Sequence, residues 1–258
     1  MPKLIALDDG HGLNTSGNRT PNIPEIGRSI RENEFNRAVV RFLKQELERS
    51  GFDTLLVAPT DEDISLKKRV DLANARKADI YVAIHYNALD GSFSGSNPSG
   101  IEVYVYPGTL NKAAGKLATA VGKYLRQGTK QNWRGIKEAN FYVLRETTMP
   151  AILTENGYMD NKTEALLMID EKFQREVAVE HAKGICEYFN VPYVAASDNR
   201  NETGFRDVSP DAYYADAVKR AKDLGLLKGY PDGRYLPDNS LTRKEFAEAL
   251  IRLYDKLK

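Results

Sequence analysis

The 258-residue chain carries one cysteine, Cys186, three histidines and one tryptophan. A lone cysteine has no partner within the chain, which excludes a disulfide framework, a Cys-x-x-Cys metal site and a thiolate cluster. Long apolar runs are missing too. The first, Leu4-Ile5-Ala6-Leu7, stops at Asp8, well short of the roughly 7 to 15 residues of a secretory core. No stretch approaches the roughly 20 apolar residues of a membrane span. Charge of one sign is also lacking: 37 basic and 36 acidic side chains give a net charge of +1. That balance excludes the electrostatic footprint of a nucleic-acid or acidic-membrane binder. The expectation is a protein synthesised in the cytoplasm without a signal peptide, with neither nucleic acid nor membrane as partner. The 41% apolar and 28% charged residues that are present belong to a globular chain with room for one large domain, or a large and a small one.

Strands and helices alternate in the first two thirds. Leu4 to Asp8 reads as a buried strand opening into the turn Asp9-Gly10-His11-Gly12. From Ser29 to Ser50, Phe35, Val39, Phe42, Leu43 and Leu47 recur at helical spacing, with Gly51 as the stop. Asp53 to Ala58 is a strand, Leu66 to Ala78 a helix, and Ile80 to Ile84 a strongly apolar strand that delivers His85. A loop over 91–100, a strand from Ile101 to Tyr106 and a helix from Leu110 to Arg126 follow. A tight stretch around Asn140 to Leu144 then precedes the strand Ala151 to Thr154, which leads into Glu155, and a last helix from about Thr163 to Tyr188. The pattern predicts an α/β fold: a mostly parallel sheet with helices on both faces. The polar run from Ala195 to Gly204 breaks it, and the 55 residues of 204–258 read as a small all-α module.

His11 follows the first strand, His85 the third and Glu155 a later one. In an open parallel sheet such residues converge at the carboxyl ends of the strands. Two histidines and a carboxylate are the ligand set of a catalytic zinc that keeps a position for water. On spacing alone, histidines satisfied by nearby backbone remain the commoner arrangement. Glu32 has two readings as well, because Ser29-Ile30-Arg31-Glu32 fits a capping box at a helix start. Glu25 and Glu34 are rivals for any metal role. His181 shares a helical stripe with Phe173, Val177, Ile185 and Tyr188 and reads as packing, and Cys186 beside it as a small buried residue.

Five ordered blocks carry a resemblance: Asp8-Asp9-Gly10-His11-Gly12, Glu32-Asn33-Glu34-Phe35-Asn36, Val82-Ala83-Ile84-His85-Tyr86-Asn87, Asn140-Phe141-Tyr142-Val143-Leu144-Arg145 and Thr154-Glu155-Asn156-Gly157-Tyr158. Residues 1–193 resemble zinc-dependent N-acetylmuramoyl-L-alanine amidases of the type 3 family. The resemblance implies one zinc ion held by His11, Glu32 and His85, with Glu155 as the catalytic carboxylate rather than a ligand. It therefore regroups the set suggested by spacing. It also implies peptidoglycan as substrate, cut between N-acetylmuramic acid and L-alanine. Asn87 and Asn140 are candidates for holding substrate polar groups, and the 91–100 loop for one wall of the groove. Asp9 and Asn156 depart from residues common in the family, proline and an apolar residue respectively.

Residues 204–258, after a linker at 194–203, resemble an S-layer homology module. Phe205-Arg206-Asp207-Val208, the segment Gly229-Tyr230-Pro231-Asp232-Gly233, and Leu241-Thr242-Arg243-Lys244-Glu245-Phe246 carry the likeness. Expected there are helices from about Ala212 to Leu224 and, capped by Thr242, on to Leu257. The resemblance implies that Arg243 binds an acidic secondary cell-wall polysaccharide. A single 55-residue module exposes much surface, so a homo-oligomer through residues 204–258 is also expected. The whole reads as a wall hydrolase of the phage-endolysin type, acting after release through a pore or by lysis. A sporulation autolysin with the same reaction and a non-catalytic wall-anchoring protein are the alternatives.

Overall fold

The computed structural model describes residues 2–95, 98–195 and 203–256. They belong to two compact units, Met1–Ala195 and Ala196–Lys258. Of the expected linker only residues 194, 195 and 203 fall within the described residues.

The first unit is built on six strands: β1 (Leu4–Asp8), β2 (Asp53–Leu56), β3 (Ile80–Asn87), β4 (Ile101–Val105), β5 (Trp133–Glu138) and β6 (Ala151–Tyr158). Their order is β2-β1-β3-β6-β4-β5. The β2-β1-β3-β6 part is parallel, and β4 turns antiparallel against β6 while pairing parallel with β5. Six helices cover it: α1 (Glu32–Arg49), α2 (Leu66–Ala75), α3 (Ala113–Gly128), α4 (Tyr142–Arg145), α5 (Lys162–Leu167) and α6 (Glu171–Phe189). Because successive strand residues point to opposite faces, the core divides in two. Ile80, Val82 and Ile84 pack with Phe35, Val39, Leu117 and Val177 of α1, α3 and α6. Tyr81 and Ala83 pack with Val70, Ala73, Val143 and Leu144 of α2 and α4.

Several boundaries differ from those expected, each for a local reason. His85 and Glu155 lie inside β3 and β6 rather than after them, because the parallel pairing runs on through His85↔Glu155 to Asn87↔Tyr158 across an irregularity. The first helix begins at Glu32, not Ser29. A bridge between Arg19 and Arg31 holds the preceding residues extended, and the Glu34 carboxylate accepts the Arg31 N–H at 2.8 Å. Glu32 is therefore not the partner of a Ser29 cap. The long last helix is two, since Asn161 caps α5 and Asp170 caps α6. Strand β5 has no apolar alternation to betray it: Arg134, Lys137 and Glu138 are the charges typical of an edge.

The second unit holds α7 (Ala215–Asp223) and α8 (Arg243–Lys256), and its small core of Phe205, Val208, Ala212, Ala215 and Val218 comes from α7 and the segment before it. The Asp207 carboxylate accepts the Tyr235 and Leu236 N–H groups at 2.7 and 2.8 Å and so ties the glycine-rich segment down. Thr242 and Glu245 form the reciprocal cap of α8, with Arg243 exposed at its first residue. No residue of α8 is buried, and Phe246, Leu250, Ile251 and Tyr254 are exposed.

Candidate active site

The site is assembled from three elements on the first unit. The turn after β1 brings His11, the first residue of α1 is Glu32, and β3 brings His85. His11 has a φ of +36°, a left-handed conformation unusual for a side chain of its size. It is held there by its surroundings. Asn33, buried on the first turn of α1, donates to the carbonyls of Asp9, Gly10 and His11 at 3.2, 3.0 and 3.0 Å. Gly10 is required by space as well as by its φ of +48°, since a Cβ would lie 2.6 Å from His85 Cε1. Below the turn, buried Asp8 accepts from Arg69, from the Tyr81 hydroxyl and, at 3.1 Å, from the Gly10 N–H. Asp9 is pushed up to about 6 by burial and by the charge of Asp8, which the cations Arg69 and Arg37 only partly offset.

Glu32 is 3% exposed. Its Oε1 accepts from Asn36 at 3.1 Å and from the Tyr86 N–H at 3.1 Å, and lies 3.0 Å from His85 Nδ1. Its Oε2 lies 3.2 Å from His11 Nε2. Asn18 is hydrogen-bonded to His11 Nδ1 at 2.7 Å, which leaves Nε2 turned inward. The donor atoms of His11, Glu32 and His85 all fall within 4.8 Å of one another, and no second such group occurs among the described residues. Tetrahedral zinc with nitrogen and oxygen ligands at about 2.0 to 2.2 Å sets its ligand atoms about 3.3 Å apart. Two imidazoles and one carboxylate at these separations fit such an ion. Burial opposes a charge on His85, yet the hydrogen bond and charge of Glu32 prevail and push it up to about 9. Burial pushes His11 down, against the pull of Glu32. Glu32 itself is held low by His85 and His11, against a large burial penalty.

Glu155 stands beside His85 in the β3–β6 register. One of its oxygens, Oε2, is buried with no hydrogen-bond partner. Burial raises it to about 8, with the charges of Glu32 and Glu102 adding to the rise and that of His85 opposing it. A carboxyl placed near neutrality can both take and return a proton.

Of the other candidates, Asn87 reaches the site: its amide donates to Glu102 Oε1 at 2.7 Å. Asn140 is not brought to the triad. It lies beyond the far end of β5, exposed, and accepts from Arg145 at 2.7 Å. Glu25 and Glu34 pair with Lys162 and Arg28 instead of joining the cluster. In the 91–100 loop, residues 96 and 97 lie outside the described residues. Sequence reasoning missed Glu102, whose one signal was a charge inside the otherwise apolar strand Ile101–Val105. It also missed the supporting amides of Asn18 and Asn33.

A profile for N-acetylmuramoyl-L-alanine amidase matches residues 5–187, the span that carries every residue of this cluster. The chain belongs to the N-acetylmuramoyl-L-alanine amidase family. An S-layer homology domain profile matches residues 204–247 of the same chain. The amidase is 36% identical over 199 residues to the endolysin of Bacillus phage SPP1, which covers 74% of this chain and 68% of that one. It is 30% identical over 230 residues to the N-acetylmuramoyl-L-alanine amidase CwlM of Bacillus licheniformis, over 88% and 85% of the two chains. The catalytic domain of CwlV, an N-acetylmuramoyl-L-alanine amidase from Bacillus (Paenibacillus) polymyxa, superposes with a TM-score of 0.64 at 35% identity, covering 74% of this amidase and 99% of that domain.

His181 lies away from this chemistry. Fully buried on α6, it pairs through Nδ1 with the Val177 carbonyl at 2.7 Å and through Nε2 with the Thr154 hydroxyl at 3.0 Å. Burial holds it down at about 4. Against an unfolded value near 6.5, the folded state binds fewer protons between those limits, so its contribution to stability is complete above 6.5 and is lost as pH falls toward 4. The loss is on the order of 3 kcal/mol. Melting curves at pH 7.5 and 4.5 should show a smaller acid loss in His181→Gln than in the unaltered protein; an equal loss would contradict the assignment.

Proposed function

We propose that this amidase hydrolyses the bond between N-acetylmuramic acid and the L-alanine of peptidoglycan stems, that it is zinc-dependent, and that residues 204–258 hold it on a wall polysaccharide. The observation that carries the reading is the juxtaposition of an intact His11–Glu32–His85 donor set with a carboxyl, Glu155, whose buried oxygen has no other partner. A non-catalytic wall binder has no use for that arrangement.

A zinc ion at the donor set would lower the pKa of a bound water toward roughly 7 and polarise the scissile carbonyl. Glu32 supplies the negative charge of the set and is kept ionised by the two imidazoles. Asn18 and Asn33 hold His11 in orientation so that little reorganisation accompanies binding. Glu155 takes the proton of the attacking water and passes it to the departing L-alanine nitrogen, which leaves as an amine only when protonated. The similarity to a phage endolysin supports a role in lysis, with access to the wall after release. The exposed apolar face of α8 supports self-association through residues 204–258, measurable by light scattering of the whole chain.

Digestion of purified walls tests the reaction. New L-alanine amino groups should appear without new reducing sugars; reducing sugars would mean a glycosidase. Deleting residues 204–258 should weaken wall pelleting about tenfold or more while soluble muropeptides are still cut. Undiminished pelleting would show that the anchor lies elsewhere.

A further inference from the structure

Next to Glu155 lies a second buried carboxylate with an unusual number of donors. Glu102 on β4 is directly opposite Glu155 in the antiparallel register, so both side chains share one face of the sheet. It is 1% exposed. Its Oε1 accepts from Asn87 at 2.7 Å, the Tyr104 hydroxyl at 3.0 Å and the Tyr158 hydroxyl at 3.1 Å. Its Oε2 accepts from Arg134 Nε at 3.1 Å and from Lys137. One ion pair would neutralise Glu102; here two cations from β5 share it.

The surplus positive charge is accessible. The Arg134 and Lys137 side chains are 35% and 37% exposed. Arg134 Nη1 donates to the Ser99 carbonyl at 3.3 Å, and its guanidinium covers the Tyr158 ring at 5.0 Å. The Lys137 ammonium lies 5.9 Å over the Tyr104 ring, and the two side chains make no further hydrogen bond among the described residues. The face therefore reads, strand by strand, as His85, Glu155, Glu102 and then the cation pair. At about 4.8 Å per strand the pair's backbone is about 10 Å from Glu155, and both long side chains lean back toward it. Successive α-carbons are about 3.8 Å apart, so a carboxylate one residue beyond the scissile nitrogen falls within this span.

We propose that Arg134 and Lys137 form a carboxylate-binding subsite, held in place by Glu102, that selects stems with a free α-carboxylate on the residue after L-alanine. The proposal rests on the amidase reading above. Its test uses the whole zinc-loaded protein and two soluble muropeptides with the stem L-Ala-γ-D-Glu-L-Lys, differing only in whether the D-Glu α-carboxyl is free or amidated. The free acid should be cut with a kcat/KM about tenfold or more higher, the range of a charge-assisted hydrogen bond. Lys137→Met leaves Arg134 to balance Glu102 and should bring the ratio to within about twofold of one, as should Arg134→Gln made independently. Lys137→Arg should keep the preference. Equal rates on both substrates for the unaltered protein, or an undiminished ratio in both Lys137→Met and Arg134→Gln, would overturn the subsite. Failure to cut either substrate would instead remove the amidase reading, and the subsite with it.

Discussion

Glu155→Gln is expected to bind zinc as the unaltered protein does and to turn over muropeptides about 10² to 10⁴ times more slowly, the usual worth of a positioned acid–base group. The substitution is nearly isosteric and removes only the ability to exchange a proton. Glu155 is well suited to reveal that loss, because its buried Oε2 makes no hydrogen bond that the amide would disturb. Metal content by elemental analysis and initial rates on a soluble muropeptide are the two readouts. An active variant with full metal would mean that another group carries the proton. A metal-free variant would mean that Glu155 is a ligand, as strand-end spacing alone first suggested.

His11→Ala should do the converse: zinc content falls to near zero and activity with it, by more than 10³-fold. Removing His11 leaves Glu32 and His85, too few donors for the three-ligand site of a catalytic zinc. The fold should survive, because His11 lies on a partly exposed turn whose carbonyls are held by Asn33 and whose base is held by Asp8 and Arg69. Zinc stoichiometry measured beside the far-ultraviolet circular dichroism spectrum separates metal loss from unfolding. Retention of one zinc per chain would remove His11 from the ligand set. Gly10→Ala should resemble it in metal loss but also unfold more easily, because the added Cβ meets the His85 ring at 2.6 Å and the +48° backbone is strained for alanine.

The two readings of Glu32 show where sequence patterns give out. A Ser-x-x-Glu motif before an apolar helix is a sound capping signal, and nothing in the residues themselves argues against it. What decides is an extended segment, pinned by the Arg19–Arg31 bridge, which starts the helix three residues later. Glu32 then becomes the first residue of α1, aimed over the sheet at two histidines, while Glu34 takes the capping role. Asn140 went the other way. Its block of sequence is real, but β5 runs opposite to β6, so the residues that follow β5 emerge at the pole away from the triad. A reversal of strand direction leaves no mark on hydrophobic periodicity.

By itself the sequence determined the alternation of strands and helices, the apolar faces, the ordered blocks that carry the family resemblance, and His11, His85 and Glu155 as candidates at the strand ends. These are local or one-dimensional properties: periodicity reports which face is buried, and motif order reports descent. Tertiary structure alone decided that Glu32 opens α1 at 3.0 and 3.2 Å from the two histidines instead of closing a Ser29 cap, and that Glu102 gathers Arg134 and Lys137 at the flank of Glu155. The first depends on the Arg19–Arg31 bridge ahead of α1, and the second on register across β3, β6, β4 and β5, where residues up to 71 positions apart become neighbours a few ångströms away. Register is a property of paired backbones, set by every strand at once, and no single segment encodes it.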